Sequence, residues 1–179
     1  MTDPAHAAIE QGLASSNPEH VFDAIIDIGK QGHRDLAGRV VPYLSSPTDF
    51  LREAAIRTLV FHFHLPEYKA DAIRLLDSDP DEGVRQAAAM GLRVFAQSDP
   101  DLLQHLLTVA LKSDEDESVR EAAFIAALVA AGIKREDFPM GRWLPGFDRN
   151  ADWAMLERAL RQAGHPVPPG VAERAARPR

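Results

Sequence analysis

The sequence predicts an all-α fold built from stacked helix pairs, and three observations carry that expectation. The phrase DEGVRQAAAMGL at residues 81–92 returns as DESVREAAFIAAL at 116–128, with the same order of acid, acid, small residue, Val, Arg, polar residue, Ala, Ala. Within each copy the apolar positions fall at helical spacing. Along the chain no segment alternates like a strand except LVFHFHL, which runs on from a helix and ends at Pro66. A period of this size marks units that bury their apolar faces against one another.

The elements follow in order. A helix opening at Asp3 and Pro4 precedes the first unit and covers its open end. Counting from Asp79, the pattern places Pro80 one residue on, then Glu82, Val84, Arg85, Ala87, Ala88 and Leu92. From Ser46 the same offsets give Pro47, Asp49, Leu51, Arg52, Ala54, Ala55 and Leu59; from Asp114 they give Glu115, Glu117, Val119, Arg120, Ala122, Ala123 and Ala127. A divergent copy from Ser16 keeps Glu19, Val21, Ala24 and Ile25 but has Phe22 in the Arg place and Gly29 in the Leu place. Ser46, Asp79 and Asp114 are the expected helix caps, with the acid three residues on completing a capping box. Pro47 and Pro80 suit a first helical position, where a missing amide costs nothing. The paired alanines allow close approach of a second helix. Those second helices are RDLAGRVVPYL ending at Leu44, EYKADAIRLL ending at Leu76 and DLLQHLLTVAL ending at Leu111.

These residues together resemble the HEAT repeat, in particular the short bacterial form related to phycobilisome lyase repeats. The resemblance implies a right-handed α-solenoid of stacked antiparallel helix pairs, about eight to ten helices, with 16–132 as clear repeats inside a single domain over 1–164. It also implies that Arg52, Arg85 and Arg120 form a ladder, bonding acids and carbonyls of adjacent repeats. The copy with Phe22 then reads as a capping repeat. After Gly132 the pattern fails: 133–164 is expected to be a C-terminal cap in which Trp143, Leu144, Phe147 and Trp153 cover the end of the stack, with Asn150 capping the last helix. Residues 165–179, HPVPPGVAERAARPR, have the composition of a flexible tail.

Composition limits the function. The 179 residues carry no cysteine, which excludes disulfides, thiolate metal sites and thiol nucleophiles together. A hydrophobic fraction of 45% against 26% charged residues fits a soluble globular protein, and no apolar run is long enough for a membrane span. The N-terminus lacks the basic start and apolar stretch of a signal peptide, so the expected compartment is cytoplasmic. A net charge of -7 argues against binding nucleic acid. Arginine outnumbers lysine 16 to 4 and alanine is abundant, as in G+C-rich bacterial genomes.

Catalytic patterns are weak. His62 and His64 are the most ligand-like pair, but two residues apart on a helix they diverge by about 200°. HEAT-type hydroxylases hold iron with His-Glu dipeptides, and this sequence has none. No Ser or Thr sits in a Gly-flanked elbow, and neither GIKRED nor GKQGHRD is a phosphate loop. The expectation is therefore a non-catalytic chain without cofactor or metal that acts as a scaffold or adaptor for another protein. Its sharper form is an inhibitor or immunity-type protein masking a basic partner; oligomeric state is left open. A chromophore-binding or lyase-like role, and a DNA-repair glycosylase role, are the alternatives that the resemblance supplies.

Three surfaces are candidates for the partner. Asp81 and Asp116, among the acids Asp77, Asp79, Glu82, Asp114, Glu115 and Glu117, are expected to line up as a negative ridge along the turns. Arg39, Asp71, Arg74, His105 and Val109, with the apolar neighbour Leu102, are expected to face outward from the second helices. Trp143 is the candidate aromatic anchor.

Overall fold

The computed structural model describes residues 4–138 and 146–177. Among them there is no strand, and the all-α expectation holds. No helix among the described residues is long and apolar enough to cross a membrane. The chain divides into two compact units, Met1–Gly91 and Leu92–Arg179.

In the first unit, α1 (Pro4–Leu13) and α2 (Pro18–Gln31) pair through a short turn. The cap of α2 is Asn17 rather than Ser16: its side chain accepts the Glu19 N–H at 3.0 Å, and Pro18 takes the first helical position. The two helices approach most closely at Gly12, where a Cβ would stand only 2.8 Å from the Ala24 Cβ. Gly32, at φ 81, closes α2 by returning its N–H to the Ile28 carbonyl. The next segment is not the single helix expected to reach Leu44. It is broken into a 3-10 turn at Arg34–Leu36, one α-turn, α3 (Ala37–Val40), and a second 3-10 stretch at Val41–Ser45. Pro42 explains the break, because it has no N–H for the helical ladder and its ring collides with the preceding turn.

The helix α4 (Asp49–Ile56) continues as a π-helical stretch at Arg57–His62. There the buried Thr58 hydroxyl donates to the Ile25 carbonyl at 2.9 Å. His64 follows with a left-handed φ of 53°, outside the helix. A 3-10 turn at Pro66–Tyr68 leads into α5 (Lys69–Ser78), and α6 (Glu82–Leu92) ends at the boundary of the unit. The repeated offsets behave as expected of a packing face. Leu51, Ala54, Ala55, Leu59, Val84, Ala87, Ala88 and Leu92 are all buried.

The second unit is built on α7 (Pro100–Leu111) and α8 (Glu117–Ala130), packed along each other. Asp99 caps α7 through the Leu102 N–H at 3.0 Å. Val119, Ala122, Ala123 and Ala127 repeat the buried offsets on α8. A single turn, α9 (Phe147–Asn150), precedes α10 (Trp153–Gln162), whose cap is Asp152 rather than Asn150, accepting the Met155 N–H at 2.9 Å. The largest departure from expectation comes last. Instead of a flexible tail, the chain forms α11 (Pro169–Ala175), paired with α10 and resting on α7, with Val171 fully buried. Pro169 at the first helical position starts this helix, and one buried valine anchors it.

Candidate functional site

The repeated residues build the frame. Arg52 donates from Nε and one terminal nitrogen to both carboxylate oxygens of Asp79, at 2.7 and 2.8 Å, and from the other to the Ser46 carbonyl at 2.9 Å. Arg85 makes the matching bond to the Asp79 carbonyl at 2.8 Å. The arginine ladder is therefore present in the first unit as an acid-and-carbonyl clamp on the turns. Arg120, in the second unit, is buried, donates to the Ala110 carbonyl at 3.4 Å, and lies over the Phe147 ring.

This arrangement corrects the role given to Asp79. It is buried and does not cap α6. Asp81 is the cap, accepting the Val84 N–H at 3.0 Å, while Asp79 accepts the Asp81 N–H to shape the turn. The reason is geometric: the helix starts at Glu82, so the residue before it is in capping position. Likewise Asp116, not Asp114, precedes α8. Of the expected acidic ridge, Asp81 is a half-buried structural residue and Asp116 an exposed one, each in its own unit.

The residues expected to face outward from the second helices divide in the same way. Arg39 is exposed and pairs with Glu10 at 3.7 Å; Arg74 pairs with Asp71 at 3.1 Å. His105 is half-buried. Leu102 and Val109 are buried, contrary to expectation. The apolar arc of α7 is wide, taking in Leu103, Leu106, Leu107 and Ala110 as well, because helices pack on more than one side of it. The C-terminal segment supplies one of them. Gln104 Nε2 donates to the Pro166 carbonyl at 3.1 Å, and a Cβ on Gly170 would sit 3.1 Å from Leu111 Cδ1. Once 165–179 is read as a tail, that side of α7 looks free in the sequence.

Trp143 lies outside the described residues, as does Leu144. Their aromatic companions are core. Phe124, Phe147 and Trp153 meet edge to face, with ring centroids 4.9 to 5.8 Å apart, and all three are buried. Glu117 accepts the Phe147 N–H and ties α9 to α8. One turn further along α8, burial and then the neighbouring Glu117 carboxylate raise the pKa of Glu121 above its ordinary 4.5. A carboxylate held this way opposes folding once it ionises, so that stability falls as pH rises from 4.5 through the raised folded value. Glu121→Gln is expected to raise the urea midpoint at pH 7, with the gain shrinking as the pH is brought down to 4.5. An equal gain at both pH values would remove the electrostatic explanation.

Two residues that sequence reasoning passed over stand out. Asp23 and Asp27 lie on the exposed side of α2, one turn apart, facing the small residues of α1 across an open groove. Neither carboxylate has a hydrogen bond or ion pair among the described residues. The legible signal was an acid at i and i+4 opposite a helix whose facing positions are Ala5, Ala8 and Gly12.

Comparison with known proteins matches the chain to a family of helical repeats. The pattern of the family described as HEAT repeats fits residues 7–93 and again 51–128. No curated protein and no solved structure matches the chain.

Proposed function

Because the chain belongs to the HEAT-repeat family, whose helical repeats often mediate protein interactions, we propose that it is a non-catalytic binding protein that docks a basic protein partner, as an adaptor or as an inhibitor that masks it. One observation carries this reading. Among the described residues most arginines are committed internally, Arg158 and Arg177 excepted, while several acids are left over. Arg52, Arg85, Arg120 and Arg174 bond the frame, and Arg39, Arg57, Arg74 and Arg161 each pair with a neighbouring carboxylate. Asp23, Asp27 and Glu82 in the first unit, and Asp101 and Asp114 in the second, are exposed acids with no internal partner among the described residues. With a net charge of -7, the free surface is one that attracts cations and repels nucleic acid. Rigid helix pairs present such a surface with little ordering cost on binding.

Affinity capture from cells of the source organism, followed by mass spectrometry, tests the reading. It expects a basic protein, enriched over a charge-matched control, whose capture weakens as salt rises toward about 0.5 M. A capture in which no basic protein exceeds the control sinks it.

A further inference from the structure

We propose that the groove between α1 and α2 seats a cationic side chain, arginine or lysine, of that partner; the inference rests on the interaction reading and locates its first contact. The groove follows from the packing of the two helices. Gly12 and Ala24 bring α1 and α2 together at one point, and beyond it Ala5 and Ala8 are too small to fill the space between them. The result is an open cavity of about 340 Å³. That is at the low end of pockets that hold an organic group. Its apolar lining comes from Ala5, Ala8, Ile9 and Ala24, and its polar lining from the carboxylates of Asp23 and Asp27 together with His20 and Gln31.

This chemistry is matched by one kind of occupant. A lysine or arginine has an aliphatic stem that gains from an apolar floor and a cationic head that requires an anionic rim. An acidic or purely apolar group would leave two carboxylates facing it without compensation. The cations of this chain do not fill the role: no lysine or arginine lines the groove. The two carboxylates are one helical turn apart on α2, so a planar guanidinium between them can bond both.

The test uses the full chain, labelled with nitrogen-15, and the peptide Ac-Gly-Arg-Gly-amide in about 150 mM salt, with Ac-Gly-Gln-Gly-amide as the uncharged control. Amide shifts are expected at Ala5, Ala8, Asp23, Ala24 and Asp27, with a Kd on the order of millimolar for so small a probe. The double variant D23N/D27N is expected to weaken binding about tenfold, as loss of two ion pairs in a partly shielded groove implies. Ala8→Leu keeps both carboxylates but fills the floor, and is expected to weaken binding as much; Ala8 is exposed, so this change leaves the core intact. D114N, in the second unit, is expected to leave the titration unchanged. Wild-type binding by Ala8→Leu, or shifts centred on residues 101 and 114, would overturn the groove and leave only diffuse attraction. The titration needs no partner and so fails separately from the capture experiment. A captured partner that binds D23N/D27N as well as wild type keeps the interaction reading and removes the groove from it.

Discussion

Replacing Arg52 by alanine is expected to lower the stability of the protein by about 3 kcal/mol, the lower part of the range for breaking a buried ion pair from one side. The side chain of Asp79 is 3% exposed and that of Arg52 12%, so each charge depends on the other for the solvation it has lost. Removing the guanidinium strands the carboxylate and also frees the Ser46 carbonyl that Arg52 holds. Asp79→Asn is expected to cost less, because the amide still offers an oxygen to Arg52 and to the Asp81 N–H. The pair also sets an acid limit. Burial pushes the Asp79 pKa up, but the Arg52 hydrogen bonds, the Asp81 N–H and the Arg52 charge outweigh it and leave the group below its ordinary 3.8. A depressed folded pKa stabilises above the unfolded value and loses that contribution as pH falls through 3.8 toward the folded pKa. Urea unfolding at pH 7 and pH 3 measures both effects. The gap between wild type and Asp79→Asn is expected to narrow at pH 3. Arg52→Ala within 1 kcal/mol of wild type at pH 7 would show that the clamp is ornamental to folding.

The clamp was legible in the sequence only in part. The offset of Arg52 from Ser46 and of Arg85 from Asp79 is the same six residues, and the structure gives both the same turn carbonyl. What the pattern could not show is which acid caps. Asp79, Asp81 and Glu82 all have capping chemistry, and the choice depends on where the backbone enters the helix, a matter of two residues. The buried faces of α4, α6 and α8 were readable because an apolar position repeated at helical spacing has one place to go. The break around Pro42 was missed although its signal is in the sequence, since proline inside a helical run removes a bond at any depth of burial.

Leu102 and Val109 were misplaced for a different reason. Their exposure depends on which sides of α7 other helices occupy, and periodicity within α7 carries no information about that. The groove between α1 and α2 escaped notice for the same reason in reverse. Alanines facing alanines read as close packing, and whether they pack or leave space depends on the angle at which two helices cross. Surface function is therefore the least legible layer of this sequence. The proposed groove draws on residues that packing does not constrain, Asp23 and Asp27, and those repeat no pattern.

Ending the chain at Gly164 separates the expected tail from the observed helix α11, since loss of a disordered segment would leave stability unchanged. The helix buries Val171 completely, an effect worth about 1.5 to 3 kcal/mol for a side chain of this size. Two further bonds tie the segment to α7: Gln104 to the Pro166 carbonyl at 3.1 Å and Arg174 to the Leu111 carbonyl at 3.3 Å, each contributing about 1 kcal/mol net. The Arg174 guanidinium stands 4.9 Å above the Trp153 ring and adds roughly 0.5 kcal/mol where it remains hydrated. Ordering the segment opposes these gains, so only part of them survives as net stability. The truncation is expected to destabilise by about 2 kcal/mol, below the gross contribution of Val171 and the two bonds. It should also act locally. In a Trp143→Phe background the remaining indole is Trp153, buried in the full chain, and its emission is expected to shift to the red when the covering helix is removed. Val171→Asp in the full-length chain should reproduce both changes, because a carboxylate at a fully buried site forces the helix off α7 or the charge into an apolar environment. An unchanged urea midpoint together with unchanged Trp153 emission in the truncated chain would return residues 165–179 to the status of a tail, and with it the outer side of α7 to the list of surfaces open to a partner.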